Sequence, residues 1–127
     1  MSDYRFTLPI YGVVKGSAIN VNWYRNAHYQ VSNKAKKKFK AMIMDQLDCL
    51  DPIKGRIQIR YTYYAKINND PDLDNFVGTV KKFFQDALVE SGLIEDDNVN
   101  IIVGNSERYG GIDRGDPRVE AVITCLD

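Results

Sequence analysis

The chain has 127 residues, of which 44% are apolar and 27% charged, a length and balance suited to one globular domain that buries a core without disulfides or a structural metal. Its formal net charge is zero, no window approaches the roughly 18 apolar residues of a membrane span, and the opening MSDYRFTLPIYGVV lacks a basic leader, so neither a membrane-anchored nor a secreted protein is expected. Cys49 and Cys125 are isolated thiols and His28 is the lone histidine, which argues against a zinc site or a disulfide framework and for a reducing, cytoplasmic compartment.

In chain order, residues 4–14 (YRFTLPIYGVV) are predicted as a first strand, weakened by Pro9 and closed by Gly16. Residues 20–31 (NVNWYRNAHYQV) show no clear period and read as a loop or hairpin displaying Trp23, Tyr24, Arg25 and His28. Ser32 or Asn33 can cap a helix running to about Leu50, in which Ala35, Phe39, Met42, Ile43, Leu47 and Leu50 recur at helical spacing. Its other face carries Lys34, Lys36, Lys37, Lys38 and Lys40, a solvated face or a phosphate-contacting one. Asp51-Pro52 and Lys54-Gly55 then break the chain. Residues 56–67 (RIQIRYTYYAKI) alternate apolar and polar side chains and give the clearest strand. Phe76, Val77, Val80, Phe83, Phe84, Ala87 and Leu88 predict an amphipathic helix over about 72–91, with Gly92 at its C-cap. An acidic turn, a short strand at 99–103, a Gly-rich loop through Gly111 and a last strand at 118–126 complete the chain. This order implies a single α+β domain over residues 1–127, a mostly antiparallel mixed sheet with two helices packed on one face.

Charge is unevenly spread: residues 1–66 hold twelve Lys and Arg against four Asp and Glu, whereas residues 67–127 hold five against thirteen. One half suits a polyanion and the other a metal, or the two halves pair with each other. The acidic half opens on NNDPDLDNF, residues 68–76, with aspartates at 70, 72 and 74. An EF-hand loop would need Gly where Asn75 stands and Glu where Lys81 stands, so calcium sensing is not expected. Two readings remain. Asp70 before Pro71 can cap the helix, with Asp72 and Asp74 at the positive end of its dipole. Alternatively, the acids join Glu95, Asp96 and Asp97, brought back by a returning strand, to supply the hard oxygen ligands a hydrated Mg²⁺ prefers.

The run DLDN, an amphipathic helix with a lysine, and then DALVESGLIEDDNV resembles the core of the RusA-like endonucleases, Holliday junction resolvases common in phages and prophages. Asp72, Asp74 and Asn75 match the first landmark; Asp86-Ala87-Leu88, Gly92-Leu93-Ile94 and Asp96-Asp97 match the rest. Upstream, an Asn at 20 or 22, Tyr24-Arg25 and Ser32 before a basic helix are similar to the family's N-terminal half, so the resemblance spans most of the chain. One departure stands out: Gly78 occupies the place of the family lysine, and Asp86 comes four residues late, about one helical turn. Counting back from Asp86 moves the lysine to Lys82, the preferred reading, while counting round the helix from Asp74 moves it to Lys81; both are retained.

The resemblance implies a Mg²⁺-dependent endonuclease, with Mn²⁺ as a possible substitute and no organic cofactor, that resolves four-way junctions by paired symmetric nicks in DNA recombination and repair. A phage- or prophage-encoded homodimer acting in the bacterial cytoplasm is implied as well. Asp72, Asp74 and Asp97, with Asp96 as the alternative to Asp97, become the metal ligands. Lys82 or Lys81 becomes the catalytic lysine, and Asn75 the group that holds a carboxylate or the phosphate. Arg25, Lys34, Lys36, Lys37, Lys38, Lys40, Arg56 and Arg60 become DNA contacts. Two alternatives are a broader branched-DNA or flap nickase and a junction-binding protein impaired in catalysis.

Overall fold

The computed structural model describes residues 3–67 and 73–127, the side chains of residues 73–75 excepted. The chain is a single small α+β domain. Four strands, β1 (Asp3–Pro9), β2 (Ile57–Ala65), β3 (Ile102–Ile112) and β4 (Arg118–Cys125), form one mixed sheet in the order β1-β4-β2-β3. The helices among the described residues are α1 (Val21–Asn26), α2 (Tyr29–Leu47) and α3 (Leu73–Glu90). β4 pairs antiparallel with both β1 and β2, and β3 lies parallel to β2 because α3 carries the chain back between them. No described helix is long and apolar enough to cross a membrane.

Period explains where the core sits. On β2, Ile57, Ile59, Tyr61, Tyr63 and Ala65 are buried while Arg60 stands in solvent on the opposite side. On β4, Val119, Ala121 and Ile123 continue that buried face, and Phe6 and Leu8 extend it on β1. The helices cover it. α2 contributes Ala35, Phe39, Ile43 and Leu47 at four-residue spacing, and α3 contributes Val77, Val80, Phe83, Phe84, Ala87 and Leu88. Phe83 and Phe84 sit at the centre: Phe39 meets Phe83 edge-on at 5.8 Å, and Phe6 and Tyr61 meet Phe84 at 5.2 and 6.3 Å.

Five expectations need correction. The stretch expected as a loop at 20–31 is α1 followed by the first turn of α2. Asn20 caps α1 by accepting from the Trp23 amide at 2.8 Å, and His28, not Ser32 or Asn33, caps α2 through Nδ1 accepting from the Gln30 amide. α1 exists because Trp23 and Tyr24 rest edge-on against Phe83, so packing overrides a weak local preference. The strand expected at 99–103 begins only at Ile102 and continues through the expected Gly-rich loop to Ile112 as one 11-residue strand, β3, at an edge of the sheet among the described residues. Two bulges interrupt its pairing with β2, one at Val103 and one at Gly110. The layer over the sheet thus holds three helices rather than two. Met42, placed in the helix's apolar repeat, is 41% exposed.

Candidate metal and nucleic-acid site

α3 organises the acidic candidates that the structure describes. Asp70 and Asp72 lie outside the described residues; Asp74 and Asn75 are the second and third residues of α3, in its first turn. The helix runs antiparallel to β2: Phe76 stacks on Tyr63 at 4.9 Å, Gln85 donates to the Tyr61 hydroxyl at 3.1 Å, and Leu93 accepts from the Ile53 amide. Asp74 therefore sits at the end of the sheet where β2 finishes.

The downstream landmarks divide by what the fold asks of them. Ala87, Leu88, Leu93 and Ile94 are buried, and Gly92 ends α3 at φ 79°. Its turn is tied by the Leu93 and Ile94 amides donating to the Leu88 carbonyl. Asp86 accepts from Lys36 of α2 at 3.1 Å. Packing and pairing account for all of these residues. Asp96 is also engaged locally, accepting from the Asp97 amide at 2.7 Å and from the Asn98 side chain at 3.0 Å. The exposed carboxylate of Asp97 has no hydrogen bond or ion pair among the described residues, so nothing in the fold consumes it.

The return of the chain does not bring Asp74 and Asp97 together. α3 has 18 residues and is about 27 Å long. Asp97 follows its C-terminal end, in the turn leading to Ile102 beside Ile57, where β2 begins. Asp74 and Asp97 thus stand at opposite ends of the domain. Among the described residues, no three His, Cys, Asp or Glu side chains lie close enough to hold a metal ion within one chain. The donor set is hard oxygen, which suits Mg²⁺, but a site using both ends needs two chains.

Gly78 has a structural explanation. A Cβ there would stand 3.0 Å from Val21 Cγ2, because α1 crosses α3 at this point, so the place where the resemblance expects a lysine is occupied by a helix contact. Lys81, on the same helical stripe as Asp74 and Gly78, donates to Glu107 of β3 at 2.7 Å. One turn on, Gln85 donates to Asn105 of β3 as well as to Tyr61. Lys82 is exposed and has no hydrogen-bond or ion-pair partner among the described residues. Glu107 is a half-buried acid beside a candidate lysine that the sequence reading missed, hidden in residues taken for a loop.

The basic candidates fall into different environments. On α2, Lys36 reaches Asp86 and Lys40 reaches Glu90 at 3.6 Å, joining α2 to α3. Burial pulls the Lys36 ammonium down, but the hydrogen bond and charge of Asp86, assisted by Glu90, outweigh it and raise its pKa. Lys34, Lys37 and Lys38 are exposed, as is Arg25. Arg56 forms a two-pronged pair with Asp127, whose pKa it lowers. Arg60 projects from the sheet face opposite the helices, so it cannot share one surface with the α2 lysines. Trp23 and Tyr24 are used against Phe83, whereas Tyr29 is 65% exposed. No family model matches the chain, and a search of curated proteins finds no significant match.

Proposed function

We propose that the protein is a divalent-metal-dependent endonuclease acting on four-way or otherwise branched DNA in the cytoplasm, as a two-fold dimer. The observation that carries the reading is the unconsumed carboxylate of Asp97. It belongs to a motif whose other members, Ala87, Leu88, Gly92, Leu93 and Ile94, all have structural work. A surface acid with no structural partner in such a frame is what a ligand position requires. The resemblance to RusA-like resolvases supplies the activity class.

Asp72 and Asp74 from one chain and Asp97 from the other would hold Mg²⁺ or Mn²⁺. The chemistry such an ion supplies is water activation and neutralisation of charge on the phosphate. Asn75 would orient a carboxylate or the phosphate, and Lys81 or Lys82 would offset negative charge at the phosphorus. Lys81 shares a stripe with Asp74, which supports it over Lys82 despite the count from Asp86. Lys34, Lys37, Lys38 and Arg25 offer the phosphate contacts that keep the substrate bound. A two-fold dimer matches the symmetry of a four-way junction, which needs two opposed cuts.

End-labelled four-way junction DNA tests this. Paired, ligatable nicks that require Mg²⁺ are expected, with Asp74→Asn lowering cleavage at least a hundredfold while leaving binding in EDTA within twofold. Wild-type cleavage by Asp74→Asn would sink the metal assignment. Gly78 in place of the family lysine favours a second reading, junction binding without hydrolysis. Tight binding with no nicks in either metal would establish it, and equal cutting of flaps would widen the substrate to branched DNA.

A further inference from the structure

The segment joining β1 to α1 builds a basic cleft of which the nuclease reading uses only Lys38. It is about 610 Å³ and is lined by Tyr11, Lys15, Ser17, Lys38 and Lys66 together with the glycine turns at 12 and 16. The three lysines come from three separate places: the β1–α1 connection, α2, and the residue that follows β2. Lys66 lies over the Tyr11 ring, 5.2 Å from its centroid. Among the described residues no carboxylate lines the cleft, and none of the three ammonium groups has an ion-pair partner.

Chain geometry holds this arrangement in place. Gly12 and Gly16 adopt φ of 83° and 76°, the left-handed region that other residues rarely enter. Val14 bridges Ser17 across the turn between them. The connection is anchored at both sides by buried Ile10, Val13, Ala18 and Ile19, with the Ile19 amide donating to the Ile10 carbonyl at 3.0 Å. Gathering three cations around one cleft with no counter-charge among the described residues is unfavourable and is relieved by an anion. Small-ligand sites span roughly 300–1,000 Å³, so the cleft exceeds a bare phosphate and also has room for the ester that carries it.

We infer that the cleft bounded by Lys15, Lys38 and Lys66 binds a phosphate group, with the hydroxyl of Tyr11 as a further donor. The phosphate can belong to a nucleic-acid strand or to a free phosphate species; both offer the same oxygen cage to the lysines. This goes beyond the nuclease reading, since it requires neither metal nor cleavage.

The test uses the full ¹⁵N-labelled chain in EDTA. Inorganic phosphate is titrated against chloride at matched ionic strength, and a short single-stranded oligonucleotide is titrated separately. Saturable shifts centred on the amides of Gly12, Gly16 and Ser17 are expected. Lys15→Gln and Lys66→Gln should each weaken the titration roughly tenfold, the scale of one charge-assisted hydrogen bond. Arg5→Gln removes the same charge from the far sheet face and should change it less than twofold. Saturation by inorganic phosphate identifies a free-phosphate site, and saturation by the oligonucleotide alone identifies a strand contact; both uphold the inference. It is overturned if neither ligand moves these amides, or if Arg5→Gln weakens binding as much as the lysine variants do. Because the readout is binding in EDTA, a failure of the nuclease reading leaves it standing.

Discussion

Tyr61 and Tyr63 place two phenols on the buried face of β2, and their protonation ties stability to alkaline pH. Burial first, with Tyr11 and Tyr109 nearby, pushes Tyr63 up to about 12. Burial raises Tyr61 further, partly opposed by the hydrogen bond from Gln85. An unfolded tyrosine titrates near 10. Between pH ~10 and ~12 the unfolded chain therefore loses these protons while the folded chain keeps them, so stability is intact below pH ~10 and falls as pH rises through that window. Each retained proton costs about 1.4 kcal/mol per pH unit there. Denaturant midpoints should drop steeply above pH 10, and absorbance at 295 nm should show tyrosines that ionise only on unfolding; a flat midpoint to pH 12 would contradict this. Gly110 gives a second residue-scale expectation. At the bulge opposite Tyr64, an added Cβ would stand 2.7 Å from the Tyr64 ring and 2.8 Å from Thr62. The ring is itself held under Arg118, 4.2 Å from its centroid. Gly110→Ala should cost roughly 1–3 kcal/mol by chemical denaturation.

At the scale of elements, α2 is two surfaces rather than one basic face. Lys36 and Lys40 are committed to Asp86 and Glu90 of α3, while Lys34, Lys37 and Lys38 remain in solvent. Replacing Lys37 and Lys38 by alanine should weaken junction binding and lower the slope of log K against log salt by about one to two. Replacing Lys36 and Lys40 should leave that slope nearer its original value and shift stability by about 1 kcal/mol or less, as partly exposed pairs do. Equal slopes for the two double variants would erase the distinction. The element scale also shows what the sequence could convey. α3 and β2 were legible because each carries one uninterrupted period, 3.6 or 2, along a fully covered face. β3 was not, because an edge strand with Gly104, Gly110 and Gly111 and polar residues between them lacks alternation; its hydrogen bonds to β2 are long-range information. Misreading β3 also concealed Glu107 as the partner of Lys81. α1 was hidden for a related reason, since six residues form a helix there only because Trp23 and Tyr24 find Phe83. The landmarks along α3 were legible as a pattern, but the pairing of Asp86 with Lys36, and the lack of a partner for Asp97 among the described residues, are tertiary facts that the pattern does not carry.

At the scale of the whole molecule, the length of α3 determines how an acidic site can be assembled. With Asp74 in the first turn and Asp97 beyond the last, a helix of about 27 Å prevents one chain from supplying both ligands to one ion. Two chains related by a two-fold axis can do so, each site taking Asp74 from one protomer and Asp97 from the other. This arrangement makes complementation directional. In a dimer of one Asp74→Asn chain and one Asp97→Asn chain, both substitutions fall in the same site, and the other site keeps its native acids. Each variant alone should be inactive on a four-way junction with Mg²⁺. After unfolding and refolding together, about half of the dimers should be mixed, and the mixture should recover nicking of one strand per junction without the paired second cut. If the mixture stays as inactive as its parents while size analysis shows that chains have exchanged, the two carboxylates do not serve one shared site, and Asp97 must act elsewhere or not at all.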